Sequence, residues 1–88
     1  MERRADIEDI LSSCFDELSR REGRVLYLVS KGYSNKEIGK RLGISEYTVA
    51  NHIKSIFPKI GKTNRIAAAL YAIRKLRSRK LQKRTREK

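Results

Sequence analysis

Tyr47, Asn51 and Lys54 are the side chains of this 88-residue chain whose types and spacing can do recognition chemistry. At about 100° per residue along a helix, they share one face with position 58. Asparagine can pair bidentately with adenine, and lysine can reach the guanine acceptors of a DNA major groove. On the opposite face stand Val49, Ile53, Ile56 and Ile60, at helical spacing. A helix with an aliphatic back and a polar, cationic front suits a groove that admits a helix.

Such a helix needs a start, a stop and a support. Ser45 is a good N-cap, with Glu46 at the positive end of the helix dipole. Upstream, Ser34 and Glu37 sit at capping-box spacing, which predicts a helix from Asn35. Ile38 and Leu42 give that helix an apolar stripe. Gly43 can take the left-handed conformation that ends it, with Ile44 packed back over the end. Two helices joined by a short glycine turn form a helix-turn-helix, with a recognition helix over about 46–60. Ser19 and Glu22 form a second capping-box pair, opening a supporting helix that runs to Lys31 and ends at Gly32. Val25, Leu26 and Val29 give its core face. Glu22 caps and is placed to pair with a cation such as Lys59.

Residues 18–70 resemble the LuxR/GerE-type helix-turn-helix domain of bacterial transcription regulators. The resemblance rests on Leu18, Ser19, Arg21 and Glu22; Val25 and Leu26; Gly32; Asn35 to Ile38; Leu42 to Ser45; Thr48 and Val49; Asn51 and His52; Lys59 to Gly61; and Asn64 and Arg65. It implies that Ala50, Asn51 and Lys54 face base edges, Ala50 offering only apolar contact. It implies that Ser45, Tyr47, Thr48 and His52 lie near phosphates, His52 being either a phosphate ligand or a hydrogen-bonded, partly buried histidine. It brings Ser34, Asn35 and Lys36 to the backbone, where free helix amides suit a phosphate. It puts Thr63 or Asn64 at the cap of the last helix, again near phosphates. It makes that last helix a dimer interface, through Ile66, Ala69, Leu70 and Ile73. Two positions depart from the family. Gly39 stands where relatives usually have alanine, keeping the close helix contact at about 1 kcal/mol of helix propensity. Pro58 stands where they have a basic or polar residue, and predicts a bend or an early end of the recognition helix, with Gly61 closing it.

Composition points the same way. Net charge is +12 and pI about 10.4, so an acidic polymer is the expected partner. No apolar run approaches the roughly 20 residues of a membrane span, and no signal-peptide core follows the N-terminus. A cytoplasmic, nucleoid-associated protein without membrane contact is expected. No cofactor is expected: one cysteine and one histidine, far apart, make no zinc site. No catalytic cluster or phosphate loop is present in the sequence, so an enzyme is not expected.

The fold class is therefore all-α. A compact four-helix helix-turn-helix domain over residues 18–76 carries an extra N-terminal amphipathic helix within 1–17 and a basic tail over 77–88. The N-terminal helix spans about 4–16, with Ile7, Ile10, Leu11, Cys14 and Leu18 on one side. That side either covers an open part of the domain or serves dimerisation or a second regulator. Residues 74–88 hold nine Lys or Arg and one Glu. Their helix is expected to fray after a turn or two, leaving an arm for DNA phosphates. The leading function is a sequence-specific regulator binding double-stranded DNA as a homodimer. The alternatives are a sigma-factor-like promoter-binding module, a basic RNA-binding protein and an adaptor to another regulator.

Overall fold

A computed structural model describes residues 15–87, with side chains as far as Ser78. Four helices are present among the described residues: α1 (Arg20–Ser30), α2 (Asn35–Leu42), α3 (Glu46–Ile60) and α4 (Arg65–Glu87). No strand occurs among the described residues. Helix α1 packs against each of the other three, α2 and α3 pack on each other, and α3 touches α4 only lightly. The core is built from Phe15, Val25, Leu26, Leu28 and Val29, Ile38, the four aliphatic residues of α3, and Ala68 and Ala72.

The predicted caps form. Ser19 and Ser34 each accept a hydrogen bond from the amide three residues on, and each cap amide in turn donates to the Glu22 or Glu37 carboxylate. Helix α1 ends at Ser30, capped by Lys31, one residue short of the expected end. Gly43 has φ +72°, and the Ile44 amide donates to the Gly39 carbonyl across it. This closes α2 in one residue and sets the start of α3. Gly39 lies at the crossing of α2 and α3. A Cβ there would stand 2.6 Å from the Ile44 carbonyl oxygen, so the two helices meet at a separation that excludes even a methyl group.

Helix α3 has the expected span, Glu46–Ile60, so of the two effects expected of Pro58 the early end is absent. Proline removes one amide donor near the end of the helix, where only a single turn remains. Gly61 then closes α3 as expected, with Lys62 N–H donating to the Phe57 carbonyl at 3.0 Å. Helix α4 does not fray after a turn or two; its backbone is helical to Glu87. From Arg65 onward the chain has no Gly or Pro and is rich in Ala, Leu, Lys and Arg, all strong helix formers. Cations near its end also suit the negative pole of the helix. The boundary expected at residue 77 thus falls inside one continuous helix.

The expected N-terminal helix, with Ile7, Ile10, Leu11 and Cys14 and the surface for a second regulator, lies outside the described residues apart from its final two. Those two are not helical: Phe15 precedes a turn that contains Asp16 and Glu17. Phe15 is buried, with its ring centroid 6.4 Å from that of Tyr71 on α4. The Tyr71 hydroxyl donates to the Glu17 carboxylate.

Candidate nucleic-acid interface

Helix α3 buries Val49, Ile53, Ile56 and Ile60. Its opposite side leaves Tyr47, Asn51, Lys54 and Pro58 exposed, Tyr47 by 75%. A large aromatic ring left in water on a small domain has no packing role in this chain. Between the faces, Ala50, Thr48 and His52 are half-buried. The polar front and aliphatic back expected from spacing are therefore both present.

The rotation of α3 about its axis is fixed from behind by Glu22 on α1. Lys59 Nζ lies 3.0 Å from each Glu22 oxygen, and the Ser55 hydroxyl donates to Oε2 at 2.8 Å. Ser19 N–H donates to Oε1 at 3.0 Å. Burial raises the pKa of Glu22, but hydrogen bonds from Ser19, Lys59 and Ser55 and the Lys59 charge outweigh it. The net effect lowers the carboxyl to about 2. A charged group so fully satisfied resists movement, because any rotation of α3 would strip partners from a buried carboxylate. The Glu22–Lys59 pair was legible from sequence. Ser55 was not singled out, although it lies one helical turn before Lys59 and so on the same side.

The N-terminus of α2 comes beside that of α4. Arg65 Nη1 donates to Asn35 Oδ1 at 2.7 Å, and Nη2 to the Tyr33 carbonyl at 2.8 Å. The guanidinium of Arg41 stacks on the Tyr33 ring, 4.2 Å from its centroid. Arg65 was named from sequence only among the residues that carry the resemblance, and its positioning role was missed; an arginine just inside a capped helix gives no local sign of a partner thirty residues away.

These bonds sort the candidate phosphate ligands. The oxygen of Asn35 is committed to Arg65, leaving its amide nitrogen as donor. Ser34 Oγ accepts from the Glu37 amide, and its hydroxyl also interacts with the Glu37 carboxyl. The Glu37 carboxyl titrates below its usual range, first because Ser34 N–H donates to it, with Arg41 and Lys40 adding charge. Lys36 is exposed. The Ser45 hydroxyl accepts from Thr48 N–H at 3.0 Å and donates to Thr48 Oγ1 at 2.9 Å. Its proton is thereby spent, and the Thr48 hydroxyl becomes the outward donor. Asn64, not Thr63, caps α4, accepting from Ala67 N–H at 2.9 Å; both are exposed.

On α4 the expected apolar stripe divides. Ala68 and Ala72 enter the core, and Ala69 packs against it half-buried. Ile66, Leu70 and Ile73 stay outside, 74%, 49% and 37% exposed. No helix among the described residues is long and apolar enough to cross a membrane.

The family described as bacterial regulatory proteins, luxR family, matches residues 16–72. The transcriptional regulatory protein DegU of Brevibacillus brevis is 46% identical over 57 residues, covering 65% of this chain and 24% of that protein. The transcriptional regulatory protein LiaR of Bacillus subtilis is 42% identical over 59 residues, covering 67% and 28%. The oxygen regulatory protein NreC of Staphylococcus aureus is 41% identical over 64 residues, covering 73% and 30%. The matched part thus spans about a quarter to a third of the length of these relatives. No solved structure matches significantly.

Proposed function

This chain belongs to the luxR family of bacterial regulatory proteins, and we propose that it is a sequence-specific regulator that inserts α3 into the major groove of double-stranded DNA. The observation that carries this reading is the pairing of exposed Asn51 and Lys54 on the one side of α3 that the core leaves free. Asn51 and Lys54 read base edges and Ala50 makes apolar contact. Lys36, the Thr48 hydroxyl, the Asn35 amide, Tyr47 and His52 hold the backbone, with Ser34, Thr63 and Asn64 near it. Such contacts set register and orientation and carry no sequence information. The protein acts as a homodimer through Ile66, Leu70 and Ile73, with Ala69 at the edge of the contact. Three large aliphatic side chains exposed in one row are the support for that interface. Two copies then place α3 in successive major grooves, about 34 Å apart.

Selection of bound sites from a random duplex pool tests this, with a palindromic consensus expected. Asn51→Ala and Lys54→Ala should each cost about 1–3 kcal/mol and relax one position of the site. A pool without consensus, or variants that weaken all sequences evenly, would overturn the reading.

A further inference from the structure

The guanidinium of Arg65 straddles the start of α2. One of its nitrogens donates to Asn35 Oδ1 at 2.7 Å, on the first residue of that helix. The other donates to the Tyr33 carbonyl at 2.8 Å, just ahead of the Ser34 cap. Helices α2 and α4 otherwise barely touch. A fork of charge-assisted bonds therefore ties the first residue of one helix to the first residue of another. Both Arg65 and Asn35 are half-buried, and Arg41 stacks on the Tyr33 ring from the far side of α2, so the fork has a firm seat.

The chemistry of the fork fixes which way Asn35 faces. A guanidinium carries donors and no acceptor. The Asn35 atom turned toward it is therefore the oxygen, and the –NH2 is held on the other branch of the amide. An asparagine amide without such a partner turns over at little cost, because its last torsion is broad and roughly two-fold. It would then offer an oxygen as readily as an –NH2. The difference matters beside a phosphate, which accepts a hydrogen bond from –NH2 and repels a carbonyl oxygen. Lysine could not replace Arg65 here. It keeps the charge, but as a point charge without the planar pair of donors.

We propose that Arg65 is a positioning residue for DNA-backbone binding, acting through Asn35, whose amide it holds with the donor free for a phosphate. The proposal rests on the reading of the α2 end as a backbone contact. A residue of α4 thereby sets a contact that α2 makes.

The test compares the parent chain with Arg65→Lys, Asn35→Ala and the double variant, all at full length. The probe is a fluorescein-labelled random-sequence duplex, since phosphates are common to every sequence, and affinity is read by anisotropy at one salt concentration. Asn35→Ala should bind about tenfold more weakly, the scale of one hydrogen bond to a charged group. Arg65→Lys should lose about fivefold, and the double variant should bind no more weakly than Asn35→Ala alone, because the lysine then has no amide left to misplace. A purely structural role would not give that cancellation. The Tyr33 bond is weakened with or without Asn35, so melting temperatures should fall in both backgrounds. Nuclear magnetic resonance of the parent chain gives a reading that needs no variant: on adding duplex, the Asn35 –NH2 signals should move while the Arg65 guanidinium signals hold. The reverse pattern overturns the proposal. So does Arg65→Lys at parent affinity, or a loss from Arg65→Lys that persists in full beside Asn35→Ala. Asn35→Ala at parent affinity overturns it and leaves the reading of α3 in the groove standing. A parent chain with no affinity for the duplex sinks both.

Discussion

Replacing Glu22 by Gln removes one charge and almost no volume. It leaves a carbonyl oxygen for one donor but turns an –NH2 toward Lys59 or Ser55. In the folded chain the carboxyl titrates at about 2, against an ordinary value of 4.5. At about 1.4 kcal/mol per pKa unit, that fall corresponds to roughly 3 kcal/mol of stabilisation of the charged form. Lys59 is 43% exposed and its share is screened by water, so about 2 kcal/mol is the better expectation. For a domain whose whole stability is of order 5 kcal/mol, the variant should melt about 10 °C lower. The pH dependence is the sharper consequence. The contribution is complete above the unfolded value of 4.5 and is lost as pH falls through about 2. The gap between the parent chain and Glu22→Gln should be widest at neutral pH and should close steadily below about pH 4.5. Urea unfolding followed by circular dichroism, repeated from neutral pH down to about pH 2.5, measures it. A gap that stays constant across that range, or is missing at neutral pH, refutes the account of Glu22 as a paired, charged anchor of α3.

Gly39→Ala should destabilise the fold by about 1 kcal/mol. Overpacking costs about 1–3 kcal/mol and helix propensity returns about 1; a more stable variant in thermal melts would show that α2 and α3 separate easily. Removing residues 78–88 should weaken binding to every duplex alike and flatten the salt dependence of affinity, measured by fluorescence anisotropy over a salt series. A loss confined to one sequence would contradict a purely electrostatic role. Ile66→Asp should leave the melting temperature unchanged and raise the dimer dissociation constant at least about thirtyfold by sedimentation, the scale of a buried anchor; equal dimerisation would remove α4 as the interface.

Most of the helix-turn-helix was legible because its information is local. A serine three residues before a glutamate, a glycine past the last apolar residue and a 3.6-residue apolar period each act within one or two turns. Long-range contacts left no such mark. The Arg65–Asn35 bond joins residues thirty apart, and Ser55 looks like any exposed serine until Glu22 is seen behind it. Phe15 lies four residues beyond Leu11 and could have been counted with the apolar set; it was hidden by the acids that follow. The basic run misled in another way. Dense like charge argues for a solvated tail, but nothing in those residues breaks a helix already started by the packed alanines upstream. Among the candidate ligands, sequence could name the residue type but not which hydrogen-bonding atoms would remain free after folding.

The unbroken course of α4 gives the molecule mechanical leverage. Ala68, Ala72 and Leu76 hold it against the core, and about 17 Å of rod projects from there to Glu87 at 1.5 Å per residue. A tilt of roughly 10° at that fulcrum would swing the far end by about 3 Å, close to the roughly 3.4 Å of axial rise between neighbouring phosphates along one strand. Whatever presses on the alanine end therefore re-aims a whole row of cations at once.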